Sequence, residues 1–194
     1  LGAGASIAKW IEEGSEVHVC VFSTAEDSLP KGSQPTRLAE ECHASLDVLG
    51  VRDDRRIVFR YPVRKLSYHR QDVLENMVQL GQEIAPEWVV IPSGSDLHQD
   101  HATIHDEALR AFKHKTVLGY ELPWNHITFC ASAFVTLERR HLDRKWEALT
   151  RYTSQLELGR PYFTKEFHES LARVRGLQVK SDWAEAFELI RVVF

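Results

Sequence analysis

Short β-rich runs alternate with long amphipathic stretches through the first two-thirds of this chain, and that alternation constrains the fold more than any other feature. Residues 16–22, 57–59, 88–91 and 116–120 read as strands. Between them, residues 7–13, 36–49, 68–84 and 101–113 read as helices. Leu38, Cys42, Leu46 and Leu49 share one helical face, and Val73, Met77, Leu80 and Ile84 another, with Gly14 and Gly50 placed as stops. A parallel strand pair needs a crossover connection, and a helix supplies it compactly. The pattern therefore predicts an α/β fold, a Rossmann-like domain with a mainly parallel sheet flanked by helices. Further strands are expected at 127–129, 133–135 and 187–194, and helices at 142–152 and 165–175. No repeat or low-complexity linker interrupts the 194 residues, so residues 1–194 are expected to form a single domain.

Composition narrows the function classes. A formal net charge of −4 argues against a nucleic acid held by charge. The cluster Arg52, Arg55, Arg56, Arg60, Arg64 and Lys65 is interleaved with Asp53 and Asp54 and reads as solvated surface. Cys20, Cys42 and Cys130 are odd in number and widely spaced, which fits a reducing, cytoplasmic location rather than a disulfide framework. No apolar run is long enough to span a bilayer. Ten histidines raise the prior for acid–base or metal chemistry.

Ligands of open α/β sheets bind outside the carboxyl ends of the strands. Residues 23–27, 92–101 and 121–126 lead off such ends, and 23–35 forms a polar loop. The second segment carries Asp96-Leu97-His98-Gln99-Asp100-His101. Two histidines three apart at a helix start lie on one side of it. His101 is the candidate metal ligand and His98 the candidate general acid, with Asp100 orienting His98 and favouring its protonated form. A rival triplet is His98, His101 and His105. Ser95 or Asp96 is expected to cap the helix. Trp124 either stacks on a sugar ring or packs beside Pro123, and His126 either supplements His98 or is structural.

The pattern His98-x-Asp100-His101 resembles the second motif of the LmbE-like, or PIG-L, family of zinc-dependent N-deacetylases. Ser23-Thr24-Ala25-Glu26 stands where that family tends to have Thr-x-Gly-Glu, and Arg37-x-x-Glu40 is similar to its Arg-x-x-Glu helix. Lys145-x-x-Ala148-Leu149, Ser154-Gln155 and Ala184-Glu185-Ala186-Phe187 match further features in order. The resemblance implies a Zn2+ enzyme acting on acylated amino sugars or glycoconjugates. Another divalent transition metal suits the same ligands. It also implies a substrate-binding role for Glu26, Arg37 and Trp124, and a homo-oligomer. For Arg37 an ion pair with Glu40 or Glu41 is the structural alternative. The family's first motif, Ala-His-Pro-Asp-Asp-Glu, contributes two metal ligands and the general base. It would fall immediately before Leu1, together with the first central strand of the sheet, and the opening Leu1-Gly2-Ala3-Gly4 resembles the segment that follows it. The sequence is therefore expected to begin inside the fold.

Two other classes compete. One is a non-catalytic, metal-free carbohydrate-binding relative of the same fold. The other is a nucleotide- or S-adenosylmethionine-binding Rossmann domain, suggested by Gly2-x-Gly4 and a ribose-binding role for Glu26; it lacks the third glycine and leaves His98 and His101 unexplained. A related fold also runs hydration, so fold alone does not settle the reaction.

Overall fold

The computed structural model describes residues 1–30 and 32–194; position 31 of the expected polar loop lies outside them. The elements run α1 (Gly4–Glu12), β1 (Val19–Val21), α2 (Arg37–Leu49), β2 (Arg56–Val58), α3 (Arg70–Ile84), β3 (Trp88–Pro92), α4 (Gln99–Ala111), β4 (Thr116–Tyr120), β5 (Ala133–Leu137), α5 (Arg139–Thr150), α6 (Thr153–Leu156), α7 (Lys165–Gln178) and β6 (Trp183–Arg191). They are apportioned between two compact units, one made chiefly of residues 3–63 and 135–185, the other of 64–134 and 186–194. The fold is mixed α/β, as the alternation predicts.

In the first unit β1 and β2 pair in parallel, Val19 to Arg56 through Val21 to Val58. The apolar face of α2 packs through Cys42, Leu46 and Leu49 against Ala8, Val51 and Ala148. Gly50 ends that helix at φ +85°, where its N–H reaches the Asp47 carbonyl, a conformation that suits a residue without Cβ. A second cluster gathers Ala5, Leu137, Leu142 and Ala172. The start of α1 is held by a buried carboxylate. Glu185 accepts the Ala5 and Ser6 N–H groups at 3.2 and 2.7 Å and the Ser6 hydroxyl at 2.6 Å, and is paired with Lys145 Nζ at 2.7 Å.

In the second unit β3 and β4 pair in parallel from Trp88–Thr116 to Pro92–Tyr120, while β4 and β6 pair antiparallel with a register shift between Val117 and Leu118. The sheet order β3-β4-β6-β5 is thus only partly parallel. At Gly119 an added Cβ would lie 2.9 Å from Ser93 Cα, so glycine lets the turn after β3 close onto β4.

Several expectations are corrected. The run 16–22 is extended as a ladder only over Val19–Val21. Residues 127–129 are not a strand, and Ile127 is 87% exposed; β-propensity without a ladder partner does not make one. The terminal strand starts earlier and stops at Arg191, after which Val193 bonds to the Thr116 hydroxyl instead of a backbone partner. Helix α4 begins at Gln99, before His101, because the His98 side chain caps it. Arg56 is not solvated surface. Its side chain is buried, donating to the Val51 carbonyl and pairing with Asp47 at 2.6 Å. Among the described residues no helix is long and apolar enough to cross a membrane.

Candidate active site

The site is built on the turn from β3 into α4. Glu188 of β6 holds the start of that turn, accepting the Ser93 hydroxyl at 2.7 Å and the Gly94 N–H at 3.2 Å. Asp96 organises the rest. One of its carboxylate oxygens accepts the His98 N–H at 2.9 Å, and the other receives His101 Nδ1 at 2.8 Å and the Asn125 amide at 3.3 Å. The Asp96 side chain is fully buried. Burial works to raise its pKa, but the hydrogen bonds from His101, the His98 N–H and Asn125 outweigh it and hold the carboxyl below its ordinary range. An ionised Asp96 keeps the proton on His101 Nδ1, so the neutral ring presents its lone pair at Nε2, and the side chain remains 29% exposed. A carboxylate bracing the far nitrogen of an outward-facing imidazole is how proteins set a metal-ligating histidine.

His98 is oriented differently. Its Nδ1 accepts the Asp100 N–H at 3.2 Å, which leaves Nε2 as the protonated, donating nitrogen of the neutral ring. Its ring centroid lies 4.6 Å from that of His101. Burial lowers its pKa first and a proton on His101 would lower it further, against the opposing pull of Asp100 and Asp96. Asp100 thus orients His98 and its charge favours the protonated ring, but burial is the larger influence and the balance falls toward the neutral form. Asp100 meets the His98 ring through its backbone N–H, and its buried carboxylate accepts the N–H groups of Arg64 and Leu66.

His105 donates Nδ1–H to the Pro92 carbonyl at 2.9 Å and is not grouped with His98 and His101 as a triplet. Among the described residues no three His, Cys, Asp or Glu side chains are grouped to hold a metal. The donor set fits one braced ligand, His101. His126 is structural: Nδ1 meets the Ser95 hydroxyl at 3.1 Å and Nε2 accepts the Leu122 N–H at 2.9 Å. Trp124 sits half-buried in the short turn Pro123–Asn125 that delivers Asn125 to Asp96. Sequence reasoning passed over Asp96 as a brace, since an aspartate before a helix reads first as a cap; Asn125 carried no signal at all.

Glu26 and Arg37 belong to the first unit. Glu26 accepts the Thr24 hydroxyl at 3.1 Å. Arg37 is drawn into an internal network, with Glu41 at 3.1 Å, Glu157 at 2.6 Å and the Thr153 hydroxyl at 3.1 Å, which is the ion-pair alternative.

Fold and site together define the class as an α/β protein of the LmbE-like deacetylase type. The family model for GlcNAc-PI de-N-acetylase (PIG-L) matches residues 1–112, and the chain belongs to that family. It is 24% identical over 161 residues to the uncharacterized deacetylase YaiS of Escherichia coli, covering 79% of this chain and 84% of that one. Its fold is similar to that of the conserved protein TT1542 from Thermus thermophilus (TM-score 0.83, 21% identity, covering 100% and 90% of the two chains). It is also similar to N,N'-diacetylchitobiose deacetylase from Pyrococcus horikoshii (TM-score 0.79, 18% identity, covering 96% and 77%).

Proposed function

We propose that the protein is a metal-dependent hydrolase that removes an N-acetyl group from an amino-sugar or glycoconjugate substrate. The observation that carries this reading is the pairing of two differently oriented imidazoles at one strand end. His101 is braced by Asp96 at 2.8 Å with Nε2 outward, and His98 is turned by the Asp100 N–H to offer Nε2–H. In this reading His101 holds the metal through Nε2. In the family's pattern the remaining ligands and the general base come from its first motif. Zinc, or another divalent transition metal, held through His101 would supply Lewis acidity and activate water toward the amide carbonyl.

The residues of this chain then have separate tasks. Asp96 fixes the His101 tautomer and stays charged while doing so. His98 Nε2–H donates to the carbonyl oxygen as negative charge develops on it during attack by water. Protonation of the departing nitrogen completes the reaction and leaves acetate and a free amino sugar. Trp124, Glu26 and Arg37 are carried as substrate-binding candidates.

The test is acetate release by the full-length protein from N-acetylglucosamine, a nucleotide sugar and a glycoside, with bound metal measured alongside. Release that depends on metal and on His98 supports the reading. A metal-loaded protein that binds these sugars and releases no acetate would replace it with the carbohydrate-binding alternative.

A further inference from the structure

Asn125 reaches the turn from β3 into α4 out of a separate loop. Its amide donates at 3.3 Å to the Asp96 oxygen that also receives His101 Nδ1 at 2.8 Å. The amide nitrogen and His101 Nδ1 lie 3.5 Å apart, so two N–H donors converge on one buried carboxylate oxygen. The opposite amide orientation would set Oδ1 against that carboxylate, which fixes Nδ2 as the inward atom. The backbone docks the same residue twice more. The Asn125 carbonyl accepts the Leu97 N–H at 3.0 Å, and the Asn125 N–H returns to the Leu122 carbonyl at 2.8 Å.

His126, the next residue, closes this loop through a relay whose direction can be read bond by bond. The Ser93 hydroxyl gives its proton to Glu188 at 2.7 Å. Ser93 Oγ must then accept from the Ser95 hydroxyl at 3.0 Å, and Ser95 Oγ from His126 Nδ1–H at 3.1 Å. On the other side of the ring, Nε2 accepts the Leu122 N–H at 2.9 Å. Both ends therefore demand the same neutral tautomer, with the proton on Nδ1. The relay ties Leu122 and His126 together around Asn125 and anchors the loop to Glu188 of β6.

We infer that Asn125 is a positioning residue for the Asp96–His101 pair, kept in place by the Glu188–Ser93–Ser95–His126 relay. The terminal torsion of an aspartate is soft, and one donor leaves its carboxylate free to rotate. With Asn125 as a second donor, the oxygen stays in line with His101 Nδ1–H, and the lone pair at His101 Nε2 keeps one direction. An outer partner of this kind acts on a ligating histidine through its orientation and basicity. The inference rests on the deacetylase reading only for the reaction that the oriented His101 serves.

The experiment uses the full-length protein and two readouts besides turnover. Nitrogen NMR of labelled histidines in the metal-free protein should show His126 as the Nδ1–H tautomer, and Asn125→Ala should broaden the His101 Nδ1–H signal while leaving that of His126 in place. Zinc affinity is measured by chelator competition, with a melting midpoint for each variant. Asn125→Ala should weaken zinc binding about 10-fold, the low end of what an outer partner contributes. Asn125→Ser serves if alanine unsettles the turn. In an Asp96→Asn background the same change should cost less than about 2-fold further, because Asn125 acts through that carboxylate. His126→Ala should reproduce the loss, and His126→Asn, which keeps a donor toward Ser95, should restore part of it. An Nε2–H tautomer at His126, a well-folded Asn125 variant with parental zinc affinity, or an equal loss in the Asp96→Asn background overturns the inference. Coupling that persists in a protein releasing no acetate from any sugar would retain the positioning role and reject the deacetylase reading.

Discussion

At the residue scale, the two histidines separate by what their Nδ1 atoms do. His101 gives Nδ1–H to a buried carboxylate, and His98 takes a backbone N–H, so the same side chain is set as a lone-pair donor in one case and a proton donor in the other. His101→Ala is expected to strip most of the metal from the full-length protein; unchanged metal content by elemental analysis would remove His101 from the ligand set. His98→Ala should retain metal and lose about two to four orders of magnitude in turnover, the range of acid–base and oxyanion groups. Near-parental turnover would deny it that role. Asp96→Asn keeps the shape and loses the charge that fixes the His101 tautomer, so metal affinity should fall about 10- to 100-fold in chelator competition. The contrast between Asp96 and Asp100 was not legible in the sequence. Both flank His98 closely, and only the folded turn shows that Asp96 reaches the ring of His101 while the Asp100 carboxylate turns away to the backbone of Arg64 and Leu66.

At the element scale, α1 is anchored by a group from the other end of the chain. The Glu185 carboxylate meets the N–H groups of Ala5 and Ser6, where a negative charge is favoured by the helix dipole, and Lys145 completes its neutralisation. The Lys145 and Glu185 side chains are only 7% and 6% exposed. Lys145→Met leaves a buried carboxylate with its cation removed and is expected to cost about 3 kcal/mol in denaturant melts. A loss below about 1 kcal/mol, the scale of an exposed pair, would show that the site admits water. Helices such as α2 and α3 were readable because an apolar face at 3.6-residue spacing is a local pattern. The strands were less so: residues 127–129 have the composition of a strand and lack its ladder, whereas β6 begins at Trp183, before the apolar run that announced it.

At the scale of the whole molecule, acid stability should depend on one buried histidine. His168 has neither ring nitrogen bonded, and it lies among Phe167 and Trp146. Burial first, then the charge of Lys145, push its pKa down to about 2 from an ordinary 6.5. In the unfolded chain the ring takes up a proton below about pH 6.5, while in the folded protein it stays neutral. The unfolded state therefore binds more protons through this window, and stability falls as pH falls, by about 2 kcal/mol between pH 7 and pH 5. This precedes the loss from paired carboxylates, which starts nearer pH 4. His168→Leu should flatten the drop in urea melts; an equal drop in the variant would place the acid sensitivity elsewhere.

Local patterning alone determined the helical faces, the α/β class and the cluster His98 to His101 at a strand's carboxyl end. These rest on spacing along the chain, which the sequence displays directly. Tertiary structure decided which nitrogen of each histidine is free, that Arg37 is drawn into a network with Glu41 and Glu157, and that the Asp100 carboxylate binds the backbone of Arg64 and Leu66. The Asn125–Asp96 and Arg37–Glu157 contacts join groups 29 and 120 residues apart, and even the short-range bonds that set His98 and His101 depend on the backbone path of the folded turn, which spacing along the chain does not encode.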